Sequence, residues 1–308
     1  MARFYLQRLL SLFAVLAGTL VLVFLMLHLT PGDPARALVS NRPVSAEAYE
    51  RLRAELGLDE PLPLQFVRFA GGVLRGDFGR SHFTKQPVLA EAASRFPITL
   101  RLMIGAMLVA LALGLPAGIV AAARFGSAFD FLVMSVATLS VSMPGFWVGL
   151  MLILAFSVHL GWLPVAGVGG LRYYVLPSIA LGTGAAAILA RLMRSNLVEV
   201  LRSDYVRTAR AKGVAPVRVM LVHAFRNAFI PVLTVIGLQV GSLLAGAVVI
   251  ETVFALPGLG RLLVQGVSSR DYPLVQGLSL LIAATYVIVN FVVDLLYSVV
   301  NPRIRYVD

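Results

Sequence analysis

The chain has 308 residues, 59% hydrophobic and only 13% charged, with 26 Lys plus Arg against 15 Asp plus Glu, a formal net charge of +11 and a mean hydropathy of +0.88. A soluble domain of this length coats its core with roughly 25% charged residues, so lipid must cover much of this surface. The absence of cysteine excludes a disulfide framework, thiolate metal sites and a cysteine nucleophile.

A membrane-crossing helix needs about 20 residues with few or no charges, because hydrocarbon solvates neither charges nor free backbone groups. Six uncharged intervals qualify: 9–31, 102–123, 131–171, 173–190, 227–250 and 272–293. The first follows "MARFYLQR"; its apolar core is longer than a leader peptide's and no A-x-A-like site follows, which predicts a retained span. Between 32 and 96 the charge is mixed, and Leu52, Leu56, Phe66, Phe69, Val73 and Leu74 recur at helix-like spacing. This predicts a small helical cap outside the membrane, with a solvated connector as the alternative.

The third interval is too long for one span. It predicts a helix over 132–158, then an uncharged re-entrant or surface loop with Trp162 at the interface. The fourth can extend past Arg191, since an arginine near a helix end snorkels to the interface. Lys and Arg collect on the cytoplasmic side. With the N-terminus inside, that side holds Arg3, Arg8, Arg124, Arg303, Arg305 and eight basic residues from Arg191 to Arg226, while the two short outer loops hold Arg172, Arg261 and Arg270. Both termini are therefore expected in the cytoplasm.

The basic loop, 195–229, reads "DYVRTARAKGVAPVRVMLVHAFRNAF" over 204–229. From Asn196 to Lys212 it lacks Pro and Gly and predicts a helix. Gly213 suits a helix C-terminus and Pro216 the first turn of the next helix. Val217, Met220, Leu221, Ala224, Phe225 and Ala228 then form a helical stripe. Ala209, Ala211 and Gly213 are small, and Tyr205, Arg207, Arg210 and Lys212 frame them. The pattern suits a docking knob; a loop that only touches anionic lipid is the alternative. Helix-turn-helix spacing is superficially present, but tethering at both ends to spans argues against nucleic acid.

"DYVRTARAKGV" followed by "HAFRNAFIPVLTVIGLQ" resembles the cytoplasmic coupling loop of ABC importer permeases of the dipeptide, oligopeptide and nickel branch. "LTPGDPA", "MPGFWVGLMLILAFSVHLGWLP", "LPSIALG", "ETVFALPGLGRLLVQGVSSRDYPLVQG" and "NPRIRY" resemble the same family in the same order, over nearly the whole chain. The general pattern opens Glu-Ala-Ala; here Arg207, Thr208 and Ala209 stand at those positions and Gly213 at its expected place. The general Ile-x-Leu-Pro positions fall on His223, Phe225 and Arg226, with Ile230-Pro231 later. Those departures favour the peptide branch.

The resemblance implies an all-α polytopic membrane protein of six spans, similar to type I ABC importer permeases. The N-terminal tail and first span would occupy 1–31, the outer cap 32–96 and the permease core 97–308. It also implies a second homologous permease subunit, two ATPase subunits, an extracytoplasmic solute-binding protein and a bacterial or archaeal cytoplasmic membrane. Asp204, Tyr205, Thr208, Ala209, Lys212 and Gly213 are the expected ATPase contacts. The implied solute is a short peptide, glutathione-like tripeptides included, with nickel or another small solute as the runner-up and a stand-alone channel or carrier as the competing class.

No G-x-x-x-x-G-K-[ST] loop occurs, so ATP and Mg are expected on the partner ATPases and no cofactor on this chain. Histidines at 28, 82, 159 and 223 are scattered, which argues against a metal site. Ser140 and Ser142 lack a nucleophile's turn and are expected to bond back to their own helix or to pack beside Pro144. No catalytic residue is expected. Glu251 and Asp294 are the acids in or near the spans, their roles open; the substrate contacts are likewise not readable.

Overall fold

The structure, a computed structural model, describes residues 2–29, 45–55 and 59–300. "LTPGDPA" beyond Leu29, "NPRIRY", and the side chains of His28, Leu52, Leu56 and Asp294 lie outside the described residues. Regular structure among the described residues is helical: α1 (Ala2–Leu29), α2 (Ala46–Glu55), α3 (Leu62–Leu74), α4 (Val88–Ala123), α5 (Ala128–Ser142), α6 (Gly145–Leu152), α7 (Arg172–Leu201), α8 (Asp204–Ala211), α9 (Phe225–Val253), α10 (Leu259–Ser268) and α11 (Tyr272–Val300). Among the described residues five of these, α1, α4, α7, α9 and α11, are long and apolar enough to cross a membrane, and the bent pair 128–142 and 145–159 brings the count to six when it is taken as one span.

The third span is not the continuous helix that its apolar run predicts. α5 and α6 are bent by 104° across Met143 and Pro144. Proline has no N–H to continue the ladder, and its ring pushes the preceding residue out of the helical region; Met143 accordingly sits at φ −85°, ψ 127°. Ser140 and Ser142 do bond back, to the carbonyls of Val136 at 2.9 Å and Thr138 at 3.0 Å. After α6 the chain widens into a π-helical stretch, Ile153–His159, and Trp162, which is exposed as expected, rests its ring 5.9 Å from Phe156.

The chain forms two compact units, Met1–Pro97 with Gly258–Ile288, and Ile98–Pro257 with Val289–Asp308. In the first, Phe24 of α1 lies 5.3 Å from Phe66 and 6.0 Å from Phe69 of α3, so the apolar side of the predicted cap helix rests on the first span. Leu74 on that predicted apolar face is instead solvent-facing. A separate core joins Val88 and Ala92 of α4 to Leu259 and Leu262 of α10 and Leu274 and Leu278 of α11. Asp271 fastens it. Its buried carboxylate accepts the Ser81 hydroxyl at 2.5 Å and the backbone N–H groups of His82 and Phe83 at 3.1 and 3.2 Å.

In the second unit α7 is the hub. Gly114 and Gly118 of α4 let the two backbones meet: a Cβ on either would lie 2.5 Å from the carbonyl of Ala186 or Ala190. In lipid, where helices gain little by hiding apolar surface from one another, such close approach supplies the dispersion that holds them together. Along this seam Leu189, Met193 and Leu197 are fully buried.

Removing the Asp271 carboxylate leaves the buried Ser81 hydroxyl and the half-buried His82 N–H without their acceptor, at about 1–3 kcal/mol for the buried group, while the Phe83 N–H keeps the Ser81 hydroxyl oxygen at 3.2 Å. Asp271→Ala is expected to abolish hydrogen-exchange protection of the His82 amide while amides in α7 keep theirs; unchanged protection at His82 would refute this role.

Candidate functional site

The basic loop does not run as one helix to Lys212. α7 stops at Leu201, and Ser203 adopts an extended conformation, φ −69° and ψ 154°, before α8 begins at Asp204. Ser203 turns its hydroxyl back to the Val200 carbonyl at 2.6 Å, so the side chain competes with helix continuation where no Pro or Gly warns of a break. The eight-residue α8 is thereby freed from the span as a separate element.

One face pins it. Val206 is fully buried, worth about 1.5–2 kcal/mol. The Tyr205 hydroxyl accepts from Asn227 Nδ2 at 2.8 Å and faces the His223 carbonyl at 3.5 Å. The C-terminus closes in a Schellman turn: the N–H of Gly213 donates to Arg210 at 2.9 Å and that of Val214 to Ala209 at 3.3 Å. Gly213 takes φ +78°, a left-handed conformation that glycine adopts without steric cost.

The other face is open. Asp204, Thr208, Lys212 and Gly213 are exposed and Ala209 is half-buried, while Tyr205 is exposed along its ring and engaged at its hydroxyl, so the six expected contact residues lie on one short helix and its cap but not all on its open face. Thr208 returns its hydroxyl to the Asp204 carbonyl at 3.0 Å. The Asp204–Arg207 pair, 3.4 Å apart with both side chains in solvent, adds little stability and leaves both charges available.

Beyond Gly213 the expected second helix is remodelled. A single turn, Pro216–Arg218, leads into a π-helical stretch, Val219–Ala224, before α9. The wider turn rotates the predicted stripe: Val219, Ala224 and Ala228 are buried, while Val217 and Leu221 face outward. π turns of this kind store an extra residue inside a helix and cluster at functional positions.

Sequence reasoning missed the clamp behind this loop. Arg194 near the end of α7 holds Asp130 of α5 with two hydrogen bonds of 2.6 Å, Nε to Oδ1 and Nη2 to Oδ2. The Asp130 side chain is 4% exposed and also receives the Gly126 N–H at 3.0 Å. The Arg194 and Arg202 guanidinium groups lie 4.9 and 5.4 Å from the Phe125 ring, so the short α4–α5 connection is tied to the root of the basic loop. The available signal was slight: Asp130 merely ends the uncharged interval that begins at Phe131. Glu251, whose role the sequence left open, is fully buried on α9 and accepts the Thr99 hydroxyl at 2.5 Å.

Breaking a buried ion pair strands a charge, at about 3–5 kcal/mol. Asp130→Ala is expected to lower the unfolding midpoint in detergent more than the paired change Asp130→Leu with Arg194→Met, which removes both charges; the reverse order would refute the clamp. Gly213→Ala is expected to cost about 1 kcal/mol through its left-handed φ, read as faster proteolysis after Arg210 and Lys212. Gly213→Asn, which tolerates that conformation, should cut more slowly than Gly213→Ala.

Comparison with known proteins agrees with this architecture. The sequence model of the "Binding-protein-dependent transport system inner membrane component" family matches residues 114–306, and that of its N-terminal region matches residues 1–103. The chain is 45% identical to the di/tripeptide transport system permease protein DppB of Pseudomonas aeruginosa strain UCBPP-PA14, covering 99% of both chains. It is 47% identical to the glutathione transport system permease protein GsiC of Escherichia coli K12, covering 99% of this chain and all of the relative. The chain therefore belongs to the family of inner membrane components of binding-protein-dependent transport systems, as the permease of an ABC importer.

Proposed function

We propose that this chain is the permease subunit of an ATP-driven importer of short peptides in a bacterial inner membrane, and that α8 is its contact with the ATPase. Both termini and the basic loop lie in the cytoplasm. A second homologous permease subunit completes the pathway, two ATPase subunits bind ATP and Mg, and an extracytoplasmic binding protein delivers the solute. The names of the relatives, one for di- and tripeptides and one for glutathione, support the peptide class.

The observation that carries the docking assignment is α8 itself. It is fixed on its inner side by the fully buried Val206 and by the Tyr205–Asn227 bond, and it offers Asp204, Thr208 and Lys212 outward. A polar, predominantly basic helix with one apolar anchor gains nothing by entering lipid. It fits an acidic groove on a soluble partner, where basic side chains pair with carboxylates and steer association.

Substituting Gly213 would confound contact with backbone strain, since its φ is +78°. The better probes are Lys212→Glu and Thr208→Trp, both on exposed positions. Each is expected to reduce co-purification of the ATPases at least tenfold, the factor for about 1.4 kcal/mol, with the permease still folded and inserted. Full retention of the ATPases by both variants would place the contact elsewhere.

A further inference from the structure

Within the second unit the break between α5 and α6 opens onto a cavity of about 380 Å³. That lies within the range of roughly 300–1,000 Å³ in which proteins bind small molecules. Its walls come from the end of α5, the first turn of α6, the middle of α7 and the middle of α9, and the side chains lining it carry no charge. Gln239 occupies the midpoint of α9 (Phe225–Val253) and the middle of the uncharged stretch 227–250.

Gln239 is the unexplained residue. It is 6% exposed and lines the cavity, yet among the described residues its amide has no hydrogen-bond partner. The amide is not sealed inside protein but open to the cavity, so it can exchange hydrogen bonds with whatever occupies that space, which a leucine of similar volume could not do. The first turn of α6 adds more unfilled capacity. Trp147 and Val148 donate to the Pro144 carbonyl at 3.0 and 3.2 Å, whereas the N–H groups of Gly145 and Phe146, on the cavity wall, have no acceptor among the described residues. A helix start of this kind carries partial positive charge and favours a carboxylate. Ser140 and Thr183 spend their hydroxyl protons on their own helices, to Val136 at 2.9 Å and Ala180 at 3.2 Å, and keep acceptor capacity toward the cavity.

We infer that this cavity is a mid-membrane relay site for the peptide in transit, in which Gln239 exchanges hydrogen bonds with a backbone amide and the first turn of α6 receives the terminal carboxylate. The inference rests on the peptide reading above and deepens it. Every contact it uses is to groups that all peptides share, and the uncharged wall neither selects nor repels a charged side chain. A pathway for peptides of varied sequence needs that indifference, because deep, specific binding on the way through would slow release.

The test uses the complete transporter in proteoliposomes, with its ATPases and binding protein, and measures uptake of dialanine, trialanine and glutathione alongside stimulated ATP hydrolysis. Gln239→Leu is expected to lower peptide uptake about tenfold, the factor for one lost hydrogen bond to a charged or amide group, while stimulated hydrolysis persists. Gly184→Leu keeps the test independent of any folding defect at Gln239: Gly184 lines the cavity, and a Cβ there meets nothing within 4 Å, so the new side chain enters open space. It is expected to slow glutathione more than dialanine. Wild-type uptake in Gly184→Leu, or in a folded Gln239→Leu, overturns the relay site and leaves the importer reading standing. A wild-type transporter that carries none of the three peptides overturns the peptide reading and the site with it.

Discussion

A backbone that leaves the helix inside a bilayer must find its hydrogen bonds in protein or in a water-filled cavity, because hydrocarbon offers none. Pro144 imposes that condition on this chain. It removes one donor from the ladder and forces Met143 into an extended conformation, so the third span turns through 104° and opens its ends onto a cavity. The first turn of α6 is consequently left with unsatisfied N–H groups inside the membrane-crossing region. Such a break is tolerable only where something polar can reach it, and the cavity, with Gln239, Ser140, Thr183 and Ser242 set in a mostly apolar wall, gives such a group room.

The rest of the second unit can be read as the frame that keeps this opening in place. α7 is the rigid member, drawn against α4 by Gly114 and Gly118 and buried along Leu189, Met193 and Leu197. The Asp130–Arg194 clamp fixes the start of α5 to the same helix, and the Phe125 ring beneath Arg194 and Arg202 closes the connection. The cavity is thus bounded on the α5 side by a span fixed at its start and broken at its end. An ion pair this well buried contributes little to net stability against an apolar replacement, so its value here is positional.

The spans were legible in the sequence because each needs only about 20 apolar residues, a signal no neighbour can cancel. Gly213 was legible as well, since a left-handed helix end asks for glycine. The break at Ser203 was not: it depends on a serine choosing the Val200 carbonyl over the ladder, a choice that 3.6-residue periodicity does not register. Neither was α10, ten residues carrying Arg261 in what reads as an outer loop and recognisable only through its core with Val88 and Leu274. The six expected contact residues could be picked out because charge and small side chains stand out in an apolar chain. Val206 and Asn227, which hold them in place, look ordinary in sequence, as does Gln239, whose meaning comes from lacking a partner.

These two places are joined by one continuous element. α8 packs on the π-helical stretch Val219–Ala224, which runs without interruption into α9, and Gln239 lies at the midpoint of that helix. At 1.5 Å per residue the path from Phe225 to Gln239 is about 21 Å. A helix of this length transmits displacement with little loss, whereas the π turn at its root can gain or lose its extra residue at modest cost. Movement of the proposed docking helix would then arrive at the cavity as a shift or rotation of α9 against α7. That is the motion able to change which groups Gln239 faces, and so to release what it holds. In this arrangement the rigid seam and the pliable turn divide the work, with the glycine contact of α4 and α7 holding one wall of the cavity while α9 moves the other.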